Sequence, residues 1–298
     1  MAGHPLRTAA ERFAQIKSLS GDYEVEQLCH ELEVSRSGYY DWCRRQRQPG
    51  KRAREEEELR VQIRRVHREN EGVYGSPRIA RELRQQGLVC GRHRVARLMR
   101  ADGVFGRQRR RFRVRTTDSN HAHPIAPNRL AELGPPTKAN QVWVSDITYV
   151  ETTNGWVYLA AVMDLFSRCI VGWSTARTLE TDVVLQALHQ AITRRQPTPG
   201  LVVHSDRGVQ YASLVYRQLL AQHGFVASMS RKANCYDNAA MEAFWSTLKL
   251  ERLFRCRLAN QADAHRTIFH YVESFYNPRR RHSSLDYRSP LDFESVSN

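Results

Sequence analysis

The chain has 298 residues, 41% of them hydrophobic, and its 46 Lys and Arg against 31 Asp and Glu leave a net charge of +15. That apolar content can bury one good-sized core beside one or two small modules, which excludes a globally disordered chain, and no stretch approaches the 18 apolar residues of a membrane span. The charge excludes the near-neutral surface of an ordinary metabolic enzyme and implies a polyanionic partner, for which nucleic acid is the simplest choice.

Residues 1–50 read as a helix-turn-helix-like N-terminal module. Val25, Leu28, Cys29 and Leu32 mark one helical face, and Ser35 is the expected N-cap of a second short helix that turns Tyr39 and Trp42 inward. Residues 51–115 form a second such module with a basic arm, opening on a densely charged stretch that contains Glu55-Glu56-Glu57-Glu58. Within it Ser76 is the expected N-cap and Pro77 the first helical residue; Ile79, Ala80 and Leu83 make the apolar face, and Gly87 ends the helix. A following helix, Arg92 to Ala101, buries Val95, Leu98 and Met99 while presenting Arg92, Arg94, Arg97 and Arg100. That layout suits a helix lying along DNA. The run Arg107 to Arg115, with Arg109, Arg110 and Arg111 at its centre, is expected to follow the phosphate backbone without sequence preference. Residues 116–140, bearing Pro124, Pro127, Pro135 and Pro136, read as a linker.

From residue 141 strand and helix patterns alternate. Strands are expected at Val142–Val150, Trp156–Asp164, Cys169–Trp173, Leu201–His204 and Phe225–Met229, with Asn154-Gly155 signalling a hairpin between the first two. Helices are expected at Leu179–Arg194 and Ser213–Gln222. The order β-β-β-α-β-α-β-α is that of a ribonuclease-H-like α/β fold, so residues 141–250 are the expected catalytic core, with the first strand beside the fourth. Asp146 ends one apolar run, Asp206 ends another, and Glu242 lies on a helix behind them. Neighbouring carboxylates repel, so such a cluster is tolerable mainly around divalent cations, where two metals can activate a water or a 3′-hydroxyl for attack on a phosphodiester.

Other residues invite plainer readings. Asp164 is expected to hold the turn at Ser167-Arg168, Asp237 to cap the Glu242 helix, His204 to pack or hydrogen-bond, and Glu251 to face solvent. Phe244, Phe269, Tyr271, Phe275 and Tyr276 are expected in the core, with Trp245 held back as a DNA contact. Residues 251–298 read as a helical, basic extension in which Arg279, Arg280 and Arg281 contact phosphates. Cys29, Cys43, Cys90, Cys169, Cys235 and Cys256 form no CxxC pair. Together with an N-terminus that lacks a signal-peptide apolar region, this suits free thiols in a reducing cytoplasm, at the nucleoid.

The strings Trp143-Val144-Ser145-Asp146-Ile147-Thr148-Tyr149, Asp164-Leu165-Phe166-Ser167-Arg168, His204-Ser205-Asp206-Arg207-Gly208-Val209-Gln210-Tyr211 and Asp237-Asn238-Ala239-Ala240-Met241-Glu242 carry a family resemblance. So do Tyr276-Asn277-Pro278-Arg279-Arg280-Arg281-His282 and, upstream, Ser35-Arg36-Ser37-Gly38-Tyr39-Tyr40 and Tyr74-Gly75-Ser76-Pro77-Arg78-Ile79. Residues 141–298 resemble the catalytic core of the retroviral-integrase superfamily. Nearly the whole chain resembles the second-frame product of the "IS three" family of bacterial insertion-sequence transposases.

The resemblance implies that Asp146, Asp206 and Glu242 hold two magnesium ions, with manganese as an alternative, and that cleavage and strand transfer proceed without a covalent enzyme intermediate. It implies a basic residue at Lys249 that holds end DNA. It further implies the element's terminal inverted repeats and target DNA as partners, assembly as a homo-oligomer, and a first-frame partner or fusion, since no heptad run here supplies a zipper. Two rivals remain at this level. One is a nuclease of the same fold that cuts without joining; the other is a DNA-binding regulator with a relic core, against which the intact triad speaks.

Overall fold

A computed structural model describes residues 8–47, 50–107, 124–231 and 238–297. Helix α1 (Ala9–Leu19) opens on a capping box: the Thr8 hydroxyl accepts the Glu11 amide at 3.2 Å while the Glu11 carboxylate accepts the Thr8 amide at 3.0 Å. Helices α2 (Val25–Glu31) and α3 (Arg36–Arg47) follow, and the Ser35 hydroxyl accepts the Gly38 amide at 3.1 Å, as its place before α3 requires. The three close over Ile16, Cys29 and Tyr39 in a small core of their own.

Helices α4 (Lys51–Glu69), α5 (Ser76–Gln85) and α6 (Arg92–Ala101) form the second module. One expectation is corrected here: Gly75, not Ser76, is the N-cap of α5, and Ser76-Pro77 already lie within its first turn, where the missing proline N–H costs nothing. Ile79, Ala80 and Leu83 face Val95, Leu98 and Met99 as expected, all buried. Gly87 takes φ +82°, a conformation glycine adopts freely. Arg109, Arg110 and Arg111 lie outside the described residues.

After the single turn α7 (Leu130–Leu133) comes the sheet. Among the described residues it has five strands: β1 (Val142–Thr152), β2 (Gly155–Asp164), β3 (Ile170–Ala176), β4 (Val202–Ser205) and β5 (Val226–Met229), in spatial order β3-β2-β1-β4-β5. The first three form an antiparallel meander, while β4 pairs parallel to β1 and β5 parallel to β4. This is the ribonuclease-H-like topology. The β1–β2 hairpin turns at Thr153-Asn154, and the Thr153 and Asn154 amides are held by the carbonyls of Leu258 and Ala259 at 2.8 and 3.0 Å.

Alternation along β1 sorts its side chains between two cores. Trp143 joins one face with α8 (Thr181–Arg195), the turn α9 (Val209–Ala212) and α10 (Leu214–Gln222). Val144 and Val150 join the other, with α4, α5, α6, α11 (Ala239–Glu251) and α12 (Gln261–Phe269). A single apolar cluster therefore runs from the second module through the sheet to the π-helical segment His270–Tyr276. Phe269 departs from expectation and is 51% exposed. Asn277 follows that segment and mimics a strand, its amide accepting from the Ile170 N–H and donating to the Ile170 carbonyl, both at 2.9 Å, which satisfies the backbone at the start of edge strand β3. The final helix, α13 (Pro290–Ser297), is pinned through Glu294, which takes both terminal nitrogens of Arg195 at 2.7 and 2.9 Å. No described helix is long and apolar enough to cross a membrane.

The contact of α8 with the sheet sets a size limit at Gly172. A Cβ there would stand 2.2 Å from the Ala187 carbonyl oxygen and 2.7 Å from the Ala191 nitrogen, both backbone. Gly172→Ala should therefore lower stability by about 1–3 kcal/mol or more, the cost of overpacking a close-packed interface. Urea unfolding monitored by circular dichroism would show it as a lower midpoint with unchanged slope.

Candidate active site

Asp146 and Asp206 meet because β1 and β4 pair in parallel. Val142 opposes Val202 and each following pair keeps step to Ser145 opposite Ser205, so both aspartates stand one residue beyond the last pair. Neighbouring strands lie about 4.8 Å apart, which brings the two carboxylates onto one ledge. The ledge is also where successive strands stop building toward β3 and begin building toward β5, the crevice in which open α/β sheets bind ligands.

Each carboxylate has a dedicated donor. Trp245 Nε1 donates to Asp146 Oδ2 at 2.9 Å, and the Gly208 amide donates to Asp206 Oδ1 at 2.9 Å. Trp245 is 6% exposed, so it orients Asp146 from within the core instead of meeting DNA, a correction to its sequence reading. Beneath the ledge the Ser145 hydroxyl pairs with the Tyr211 hydroxyl at 3.1 Å, and Tyr211 packs edge-on against Tyr216 at 5.3 Å. His204 is wholly buried between the Ser228 and Ser230 hydroxyls, at 2.8 and 3.1 Å, a packing and hydrogen-bonding role.

Glu242 lies exposed in the first turn of α11. Trp245 and Lys249, three and seven residues on, share its helical face. Burial pushes the Asp146 carboxyl up to about 8, and the Asp206 charge and, more weakly, Glu242 add to the rise. Burial lowers the Lys249 ammonium, while the Asp146 charge works the other way, so Lys249 also faces the ledge. Among the described residues no three carboxylate, imidazole or thiolate groups converge tightly enough to hold a metal by themselves. The Asp206 charge acts on Asp146 more strongly than the Glu242 charge does. The donor set still fits a hard divalent cation: it is all carboxylate oxygen, crowded and mutually repulsive.

The remaining carboxylates separate cleanly. Asp164 is fully buried and accepts the Asn140 and Phe166 amides at 2.7 and 2.9 Å, so it shapes the turn before β3. Asp237 lies outside the described residues. Glu251 corrects its expectation: it is 5% exposed, and its carboxylate receives the Tyr271 hydroxyl at 2.8 Å and both Nε and a terminal nitrogen of Arg280 at 2.7 Å. Arg78 of α5 approaches the same carboxylate at 3.6 Å.

The expected phosphate contacts divide accordingly. Arg280 and Arg281 are 5% and 7% exposed and turn inward, Arg280 to Glu251 and Arg281 to Glu82, Gln85 and the Tyr287 carbonyl. Both are corrected to internal anchors, Arg281 tying α5 of the second module to the C-terminal segment and Arg280 holding Glu251 at the end of α11, because a buried guanidinium needs a carboxylate. Arg279 is exposed, with one terminal nitrogen on the Glu69 carbonyl at 3.1 Å. On α6, Arg92 and Arg100 are exposed and Arg94 half-buried, whereas Arg97 is clasped by Glu56 of α4. Sequence reasoning missed the Trp245–Asp146 bond, the Glu251 anchor and the Glu56 clasp. Only the first had a signal, since Trp245 lies one helical turn from Glu242.

The family models that match the chain agree with this architecture. Two family models described as "Integrase core domain" match residues 136–235 and 223–290, and one described as "HTH-like domain" matches residues 53–112. The chain is 44% identical over 266 residues to the 31 kDa protein of insertion element IS600 from Shigella sonnei, covering 89% of this chain and 97% of that protein. It is 34% identical over 284 residues to transposase InsF for insertion sequence IS3A from Escherichia coli (strain K12), covering 95% of this chain and 98% of that protein. Among solved structures, the HTLV-2 integrase catalytic core domain in complex with magnesium (trimeric form) matches 53% of this chain and 97% of its own, at a TM-score of 0.41 and 14% identity.

Proposed function

The chain belongs to the family of insertion-sequence transposases that includes that of IS3, and on that premise we propose that Asp146, Asp206 and Glu242 are the carboxylates with which it cuts and joins DNA. The family places it among polynucleotidyl transferases acting in DNA transposition and integration. The observation that carries the proposal is the Asp146–Asp206 ledge at the end of the parallel β1–β4 pair, with α11 leaning over it through the Trp245–Asp146 bond.

The three carboxylates would hold two magnesium ions, or manganese, since oxygen donors suit either. When bound, the ions supply Lewis acidity toward the phosphodiester and a stronger nucleophile at neutral pH. The protein's part is orientation. Trp245 and the Ile147 amide donate to the Asp146 carboxylate, and the Gly208 amide donates to Asp206 Oδ1. Glu242, exposed in the first turn of α11, would supply the third carboxylate. Lys249, on the same face, is placed to take a phosphate of the element end.

Arg92, Arg94 and Arg100 on α6, with Arg109, Arg110, Arg111 and Arg279, are the proposed contacts to terminal-repeat and target DNA. A homo-oligomer on DNA, and a first-frame partner or fusion, complete the proposed assembly, working in the cytoplasm where the chromosome lies.

The test uses a labelled duplex carrying the element's own end, read from the flanking genome, incubated with protein and magnesium and resolved on a denaturing gel. We expect cleaved and strand-joined products that vanish without the metal or with Glu242→Gln. Cleavage without joining would favour a nuclease of the same fold. Joining that survives Glu242→Gln would refute the triad.

A further inference from the structure

We infer that the cleft between α4 and α6 seats a backbone phosphate of duplex DNA, which takes the place Glu56 now holds in the fork of Arg97. The inference rests on α6 being a DNA-facing helix and adds to it a second wall and an exchange of anions. The cleft, about 560 Å³, is lined by Lys51, Arg52, Glu55, Glu56, Arg94 and Arg97, so four cations face two carboxylates.

Arg97 donates through both terminal nitrogens to the two Glu56 oxygens, at 3.1 and 2.9 Å. Two oxygens of a phosphodiester offer that fork the same parallel pair of acceptors, so the seat is already shaped for phosphate. The Arg97 side chain keeps 56% of its exposure, against 22% for Glu56, so DNA can reach the arginine from outside.

The carboxylate is not stranded by the exchange. Arg60, one turn along α4, approaches Glu56 at 3.6 Å and can keep it company, while Arg60 is itself held by Asp102 at the end of α6. Among the described residues Lys51, Arg52 and Arg94 have no carboxylate within 4 Å, so the cleft retains positive charge that Glu56 does not cancel. An arginine already neutralised by an internal carboxylate gives little net gain on meeting a phosphate, because the freed carboxylate still cancels one positive charge of the cleft. The clasp should therefore weaken non-specific binding and flatten its salt dependence.

The experiment is fluorescence anisotropy of a labelled mixed-sequence duplex with the full chain, titrated at several salt concentrations. Glu56→Gln should bind about two- to fivefold tighter than wild type, the scale of a released exposed ion pair. Its slope of log affinity on log salt should steepen by up to about 1, one phosphate contact's worth. Arg97→Gln should weaken binding, and adding it to Glu56→Gln should erase the gain. Glu56→Asp keeps the helix charge but retracts the carboxylate by one methylene; it should move affinity in the same direction and guards against a folding failure of the glutamine variant. Unchanged or weaker binding in both folded Glu56 variants overturns the exchange. If Arg92→Gln and Arg94→Gln leave affinity and slope untouched, the DNA-facing reading of α6 fails, and the exchange falls with it.

Discussion

We expect Asp146→Asn to abolish strand cleavage and joining, by on the order of 10⁴-fold or more, while a labelled duplex still binds with wild-type affinity. The asparagine keeps an acceptor for the Trp245 indole, so the ledge should stay folded. What it loses is a charge. The same variant gives a readout independent of activity. Burial and the Asp206 charge raise the folded-state Asp146 carboxyl to about 8, whereas an unfolded aspartate titrates near about 4. Between those values the folded state binds the extra proton, so without metal its stability falls as pH rises from about 4 to about 8. Neutral asparagine escapes this, and at pH 8 the metal-free variant should melt above the metal-free wild type. Magnesium should then raise the wild-type Tm and leave the variant nearly unmoved, because only an ion held by the carboxylates relieves their repulsion. A metal-free variant that melts below wild type at pH 8 would mean the ledge carries no such repulsion.

Glu251→Ala should cost about 3–5 kcal/mol, since it strands a buried Arg280 and leaves Arg78 facing a like charge. For a chain of this size that is a fall in Tm on the order of 10 °C, measurable by calorimetry. The triple change Glu251→Leu with Arg280→Met and Arg78→Met should cost much less than Glu251→Ala, because removing all three charges of the cluster leaves none of them unpaired. The cluster joins three parts of the chain: Glu251 ends α11, Arg78 comes from α5, and Arg280 follows the π-helical segment. The helix that carries Glu242 at one end is therefore clamped at its other end to the second helical module. A Glu251→Ala protein that melts like wild type would remove the clamp from this account.

Much of this was legible from local pattern. The five strands appear within a few residues of their expected spans because β-branched and aromatic runs, bounded by Asn-Gly and similar turns, have one low-energy way to pair with a buried face. The inward faces of α5 and α6 follow from spacing alone, and so does the proximity of Asp146 and Asp206 once the strand order is read as ribonuclease-H-like. The errors share a cause. Arg280, Arg281 and Glu251 carry full charges, and charged residues default to solvent unless paired. Their partners lie far off in sequence, Glu251 for Arg280 and Glu82 for Arg281, so no local window contains the pair. The Glu56–Arg97 clasp was hidden the same way.

The sequence by itself determined the periodicities, the order of strands and helices along the chain and the excess of positive charge, because each depends on neighbours in the chain or on composition. Only the tertiary structure decided which charges are paired inside the protein and which stay exposed. An arginine's role depends on whether a carboxylate stands within about 4 Å of it in a site water cannot reach, and such a pairing is made by packing distant segments together.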